Sequence, residues 1–254
     1  MAIKILGVKL NQETPAEIKK IITAWLNQEA SRLIVTVNPE FVVAAQHNPE
    51  FRAVLNRADL ATCDGIGLVW AAKLLTGQTI FRLTGVDLTS YLLTLSSVQP
   101  RPRLYLLGGR KNSAELIARQ YPMNVVGANS EVTLVSAQRL ENNEAVIDAI
   151  NHSGATVLLV AFGQQKQELW LANNLKKMPQ LKIAMGVGGT FDYLSGQVKR
   201  APSWLRAAGL EWLFRLLIQP RRIKRIFRAV IVFSWLVIKK HWQSNKETKK
   251  ITKL

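Results

Sequence analysis

Along the first 198 residues the apolar positions alternate between two patterns. Short aliphatic and β-branched runs occur at Leu33–Val37, Arg103–Leu107, Asn124–Val126, Thr156–Phe162 and Lys182–Val187, with a weaker one at Asp59–Cys63. Their length and composition predict buried strands. Between them the spacing predicts helices over Pro15–Gln28, Pro39–Asn56, Gly65–Leu75, Val86–Ser96, Ser113–Tyr121, Asn143–His152 and Lys166–Leu175. The first of these carries its own start signal, because Thr14 is followed three residues on by Glu17, the pairing that closes a capping box. Strands alternating with helices predict an α/β fold, a Rossmann-like and largely parallel sheet flanked by helices.

The pattern changes near Ser195–Pro202, where a turn signal and a proline interrupt it and basic residues take over. Beyond this point we expect two helices, Pro202–Ile218 and Arg221 to about Trp242, separated by Gln219-Pro220, and then a lysine-rich, frayed end at Gln243–Leu254. The expected organisation is therefore an α/β domain over residues 1–198, the part that would hold any catalytic site, and a basic helical appendage over 199–254.

Composition sharpens this picture in two ways. A chain of 254 residues that is 48% hydrophobic can fill a sizeable core, which excludes a disordered or fibrous protein. The net charge of +17 points to a polyanionic partner, and its placement is uneven. Residues 199–254 hold 15 basic and 2 acidic side chains, so the excess belongs mostly to the appendage. There Arg215, Arg221, Arg222, Lys224, Arg225 and Arg228 interleave with Trp212, Leu213, Leu216, Leu217, Ile226 and Phe227. A helix of that kind can lie among anionic headgroups with its apolar side inward and Trp at the boundary. A solvated basic helix packed on its own domain is the plainer reading. Val230–Leu236 is too apolar for a groove that tracks phosphates, so no nucleic-acid partner is expected. The longest apolar stretch, Ala229–Ile238, has ten residues, too few to span a bilayer.

A single cysteine, Cys63, excludes an internal disulfide and suits a reducing compartment. The start, MAIKILGVKLNQETP, lacks the order of a signal peptide. A cytoplasmic protein, peripheral at the inner face of the membrane, is the expectation.

In an open parallel sheet, ligands collect beyond the carboxyl ends of the strands, so polar residues just after each run are the candidates. Thr36, Asn38 and Glu40 follow the first strong strand, as sugar ligands or as helix caps. Asp64, between Cys63 and Gly65, could be a general base or part of an ordinary turn. Arg82 could hold a phosphate or pair with Asp87. Gly108-Gly109 could present amides to a phosphate or simply make a tight turn. Lys166 and Gln167 open a helix after the most apolar strand, and Gly188-Gly189 follow the last. Neither Gly65-x-Gly67 nor Gly186-x-Gly188 completes a dinucleotide fingerprint, since Trp70 and Phe191 occupy the third position, and no Gly-Lys-Ser/Thr motif exists. An oxidoreductase and a P-loop nucleotidase are thus disfavoured, no cofactor is expected, and no Asp-x-Asp or His-x-x-x-His suggests a metal.

The order of the motifs is more specific than any one of them. Thr-x-Asn-x-Glu, Asp-Gly-x-Gly, Arg-x-Thr-Gly-x-Asp-Leu, Leu-Gly-Gly, Phe-Gly-x-x-Lys-Gln-Glu, Gly-Val-Gly-Gly-Thr-Phe-Asp, Lys-Arg-Ala-Pro-x-Trp and Gly-Leu-Glu-Trp-Leu-x-Arg-Leu-x-x-x-Pro occur in this order. From about Thr36 to Arg225 the chain resembles the WecG/TagA/CpsF family of bacterial glycosyltransferases. The resemblance implies transfer of an N-acetylmannosamine-type sugar from a UDP donor to a polyprenyl-diphosphate-linked N-acetylglucosamine, with inversion and without a metal. It implies Asp64 as general base, Thr36, Asn38 and Gln167 as pocket residues, and as diphosphate ligands Arg82 with an arginine of the tail, taken as Arg215, with Arg222 and Arg225 as the other candidates. Lys166, Gly188 and Gly189 are implied for the donor phosphate or uridine. One departure is visible: Gln165 stands where the family commonly has proline. The tail after Trp235 also looks longer than the family's usual end. Two rivals stay open: a nucleotide-sugar enzyme with a soluble substrate, and a non-catalytic membrane- or nucleic-acid-binding module. Self-association through the apolar face of the tail is a further expectation.

Overall fold

The computed structural model describes residues 2–96, 99, 101–220 and 223–251. The chain opens with a hairpin, β1 (Ala2–Ile5) and β2 (Val8–Asn11), followed by α1 (Pro15–Trp25). Then come β3 (Arg32–Val37), α2 (Pro39–His47), α3 (Pro49–Arg57), β4 (Leu60–Cys63), α4 (Ile66–Thr76) and α5 (Gly85–Thr94). The middle of the chain gives β5 (Leu104–Gly108), α6 (Ser113–Gln120), β6 (Val125–Asn129), a small hairpin of β7 (Leu134–Ser136) and β8 (Arg139–Leu140), and α7 (Asn143–His152). It continues with β9 (Val157–Ala161), α8 (Lys166–Asn174), β10 (Ile183–Gly186) and α9 (Thr190–Leu194). The end consists of α10 (Ser203–Ala207), α11 (Glu211–Ile218), α12 (Ile223–Phe227), a π-helical turn at Arg228–Val232 and α13 (Phe233–Ile251).

Six strands form one parallel sheet in the order β4-β3-β10-β9-β5-β6, as the strand–helix alternation predicts. Its strands bury both faces, and period-two alternation divides them. Leu33, Val35 and Val37 of β3, with Leu158 and Val160 of β9, meet the core formed with α2, α3, α4, α7, α8 and the first hairpin. Ile34, Leu159, Ile183 and Met185 face the opposite core, formed with α1, α5, α6 and α9. The predicted capping box at α1 is present, with Glu17 N donating to Thr14 Oγ1 at 3.3 Å and Thr14 N donating to Glu17 Oε2 at 2.7 Å.

Several predicted boundaries move. The helix expected over Pro39–Asn56 is two helices, because Pro49 lacks an N–H and drives Asn48 out of the helical region to φ −130°, ψ 92°. Asn48 then caps α3, its Oδ1 accepting from Phe51 N at 3.0 Å. The helix expected over Pro202–Ile218 likewise breaks at Gly209, whose φ of 74° ends α10; its backbone lies so close to Ile66 that a Cβ there would stand 2.9 Å from Ile66 Cγ2. The end expected to fray continues as helix through Ile251. Arg221 and Arg222, where the last helix was expected to begin, lie outside the described residues.

The basic terminal segment is helical and folds back on the sheet domain. Phe233 and Val237 of α13 are fully buried in the same core as α2 and α4. The opposite side of this segment leaves Leu217, Ile223, Phe227, Ile231, Trp235 and Trp242 exposed. No helix among the described residues is long and apolar enough to cross a membrane.

Candidate active site

All of the strand-end motifs lie along the carboxyl edge of the sheet, and the terminal segment covers part of that edge. Together they enclose a cleft with a cavity volume of about 280 Å³. Asp64 stands at its floor, placed by the end of β4 and held there by its own N–H, which donates to Val37 O at 2.7 Å. Gly65 follows with φ 144°, a value that favours glycine and lets the chain turn sharply into α4 beside Pro39. Past α4 the chain returns to the same edge, where Arg82 extends the sheet as a single parallel bridge to Cys63.

The Asp64 carboxylate accepts a long hydrogen bond of 3.4 Å from Gly85 N, at the N-terminus of α5. Burial pushes its carboxyl up to about 6; Arg215, the Gly85 N–H and Arg82 pull the other way, and Glu211 adds a little to the rise. At neutral pH Asp64 is therefore mostly ionised yet more basic than an ordinary aspartate, the state suited to accepting a proton. Burial also pushes the neighbouring Cys63 thiol up to about 12, so it is not a nucleophile at neutral pH.

Among the described residues, four guanidiniums line the cleft: Arg82, Arg200, Arg215 and Arg225. Arg82 donates to Glu211 Oε2 at 2.8 Å and to Arg206 O at 3.0 Å, and not to Asp87. Asp87 instead accepts from Arg200 at 3.1 Å and closes a capping box with Thr84; burial works to raise its carboxyl, but Thr84 and Arg200 outweigh it and hold it below the usual value. Arg215 stacks over the Tyr193 ring at 4.9 Å and lies 3.9 Å from Glu211 Oε1. Arg225 grips Glu40 with both carboxylate oxygens engaged, at 3.0 and 3.1 Å. The buried Nε donors of Arg82, Arg200 and Arg215 have no hydrogen-bond acceptor, which leaves the cluster able to take oxygens of an anionic ligand.

Of the residues singled out in the sequence, the structure brings Asn38, Asp64, Arg82, Arg215 and Arg225 to this one cleft. Asn38 also caps α2, its Oδ1 accepting from Phe41 N at 2.9 Å, so its capping and lining roles coexist. Thr36 is buried behind the lining, with Oγ1 donating to Gly186 O at 3.4 Å. Gln167 is buried too: its Oε1 accepts from Gly163 N at 3.2 Å and Gly188 N at 2.9 Å, tying the loops after β9 and β10 together. Lys166 is exposed at the start of α8, and Gly188 and Gly189 sit further along the strand edge, outside the cleft lining. The Gly109 amide is used by Ala161 O at 3.1 Å, so the turn reading holds for the Gly108-Gly109 pair. Arg222 lies outside the described residues. Gln165 takes φ 68°, a value closed to proline, so the departure from the family pattern goes with a local backbone that proline could not adopt. Among the described residues no group of three His, Cys, Asp or Glu side chains is placed to hold a metal ion.

Two charged residues of the cleft were given no role in the sequence, Arg200 and Glu211. Arg200 hides in a run of basic residues. Glu211 carries a signal that was available: it is one of only two acidic residues after residue 198.

A parallel α/β sheet with a half-buried carboxylate facing a cluster of arginines at its carboxyl edge has the layout of a group-transfer site. The comparisons with known proteins agree. The profile of the "Glycosyl transferase WecG/TagA/CpsF family" matches residues 3–247, so the chain belongs to that family and is a glycosyltransferase. It is similar to an "N-acetylglucosaminyldiphosphoundecaprenol N-acetyl-beta-D-mannosaminyltransferase" of Bacillus spizizenii, 34% identical over 221 residues, covering 85% of this chain and 83% of that protein.

Proposed function

We propose that the protein transfers N-acetylmannosamine or a closely related hexose from a UDP donor to a polyprenyl-diphosphate-linked N-acetylglucosamine, at the cytoplasmic face of the membrane, with inversion and without a metal. The observation that carries this reading is the raised carboxyl of Asp64 at the floor of a cleft walled by Arg82, Arg200 and Arg215. In the reaction, the acceptor hydroxyl attacks the anomeric carbon from the face opposite the nucleotide. A new C–O bond forms as the bond to the β-phosphate oxygen breaks, UDP leaves with the electron pair, and Asp64 takes the hydroxyl proton. The guanidiniums stabilise diphosphate charge, the task a metal performs in other transferases. Asn38 contacts a sugar, while Thr36 and Gln167 act from behind, by fixing the strand ends. Lys166, Gly188 and Gly189 are assigned to the donor nucleotide further along the same edge.

The acceptor's lipid tail gives the exposed apolar side chains of the terminal segment a purpose. Trp235 and Trp242 are 57% and 67% exposed, an arrangement that supports docking among headgroups with the basic residues on phosphates. Under this reading residues 199–254 are a membrane-facing appendage of a catalytic domain. Self-association through the same apolar face is the competing use for it.

The test is UDP release from UDP-N-acetylmannosamine, with and without a short-chain polyprenyl-diphosphate N-acetylglucosamine, in EDTA. Acceptor-dependent release that survives EDTA is expected. Release that is equal without acceptor, or abolished by EDTA, would overturn the proposal.

A further inference from the structure

Glu211 is the first residue of α11, the point at which the terminal segment reaches the cleft. Its side chain is largely covered and faces three guanidiniums: Arg82 Nη2 at 2.8 Å, Arg200 Nε at 3.7 Å and Arg215 Nη2 at 3.9 Å. Those arginines come from three places, the edge of the sheet, the loop before α10, and the next turn of α11. One carboxylate with about four lone-pair directions can serve all three donors, and among the described residues no other acidic side chain does so for this cluster. Arg200 has a second partner in Asp87, and Arg82 has a second in the Arg206 carbonyl; Arg215 has the Tyr193 ring besides Glu211, and its charge also acts on Asp64.

We propose that Glu211 is a positioning residue of the active site, which gathers Arg82, Arg200 and Arg215 around the cleft and keeps their charge from being taken up by Asp64. The groups that face Asp64 are Arg215, Arg82, the Gly85 N–H and Glu211, with the Cys63 thiol beside it. Asp64 is thus the other carboxylate within the field of Arg82 and Arg215. Without Glu211 these arginines turn to Asp64 as their remaining counter-charge, and the base becomes both weaker and geometrically tied. With it, the arginines stay directed at the diphosphate, and Asp64 stays open to a hydroxyl. The argument about transfer rests on the function proposed above, whereas the electrostatic claim does not.

The two are separated by following the Asp64 carboxyl directly. The chain has five aspartates, so carbon-13 labelling of their carboxyls gives a spectrum in which the Asp64 signal is the one missing from Asp64→Asn. In Glu211→Gln, with folding checked by its melting temperature, the Asp64 midpoint is expected to fall by about one pH unit, the scale of an arginine closing on a carboxylate. Transfer is expected to drop at least tenfold in kcat, and the acid limb of its pH profile is expected to move to lower pH. Glu211→Asp, which keeps the charge on a shorter stem, is expected to recover part of both, and it stands in for Glu211→Gln if that variant does not fold. An Asp64 midpoint unchanged in folded Glu211→Gln, or in Glu211→Asp an activity no better than in Glu211→Gln, overturns the proposal. A midpoint that falls in a protein whose wild type transfers nothing to the lipid acceptor upholds the positioning claim and refutes the transferase mechanism instead.

Discussion

Replacing Asp64 with asparagine should abolish transfer while making the protein more stable, and the two effects have one cause. Folding raises the Asp64 carboxyl from about 3.8 to about 6, so the ionised form is disfavoured in the folded chain. A group whose folded value lies above its unfolded value binds more protons when folded, so it costs nothing below the unfolded value. The cost grows between about pH 4 and pH 6 and is constant above that. A difference of about two units corresponds to at most about 3 kcal/mol at neutral pH, with exposure to the cleft lowering this figure. Asparagine keeps the shape and can still accept from Gly85 N, but carries no charge. Asp64→Asn should therefore melt several degrees above wild type at pH 7.5, since about 1 kcal/mol shifts a chain of this size by roughly 2–4 °C. The gain should shrink markedly by pH 4.5. In the same preparations transfer should fall by a hundredfold or more, the upper range for a lost general base, and wild-type kcat/KM should decline about tenfold per pH unit below about pH 6. Differential scanning fluorimetry across pH beside a UDP-release assay reads both quantities. A variant that is inactive and equally destabilised at every pH would refute the reasoning, because it would make Asp64 a structural residue.

Three further outcomes follow from the geometry. Arg215→Ala should lower kcat by roughly 10²–10³-fold, the effect of removing one preorganised donor, with little change in melting temperature because its ion pair is long and partly exposed; a change in KM alone would assign it to uniform binding. Trp235→Ala and Trp242→Ala should each weaken co-sedimentation with phosphatidylglycerol vesicles by about tenfold, given that each side chain is more than half exposed and would bury at the interface; unaltered binding would remove the docking surface from the account. Gln165→Gly should raise stability by about 0.5–1 kcal/mol by relieving the positive φ, and Gln165→Pro should lower it, as chemical denaturation would report; the reverse order would show that this turn has another conformation.

What could be read from the sequence was what local patterns encode. The strands at Leu33–Val37, Thr156–Phe162 and Lys182–Val187 are continuous apolar runs because both sheet faces are covered, and each appears within a residue or two of its predicted place. The break at Asn48 was legible in principle, since Pro49 announces it, but the apolar spacing on either side carries straight through. The first hairpin went unseen because four-residue strands joined by Leu6-Gly7 offer too short a window for periodicity. At the site, Asp64 stood out by following a strand and Arg82 by standing near a turn. Glu211 and Arg200 did not, because their meaning comes from partners 129 and 113 residues away along the chain. Gln167 was read as a donor at a helix start and as a pocket residue, and its role in tying two loops together depends on how β9 and β10 lie side by side.

The central claim is tested most directly by incubating the full chain with UDP-N-acetylmannosamine and a short-chain polyprenyl-diphosphate N-acetylglucosamine, then examining the lipid product by mass and by the coupling constant at its new anomeric carbon. The account predicts a product heavier by one N-acetylhexosamine, of configuration opposite to that of the donor, formed by wild type and not by Asp64→Asn. A product of retained configuration, or the same product formed at wild-type rate by Asp64→Asn, would contradict it.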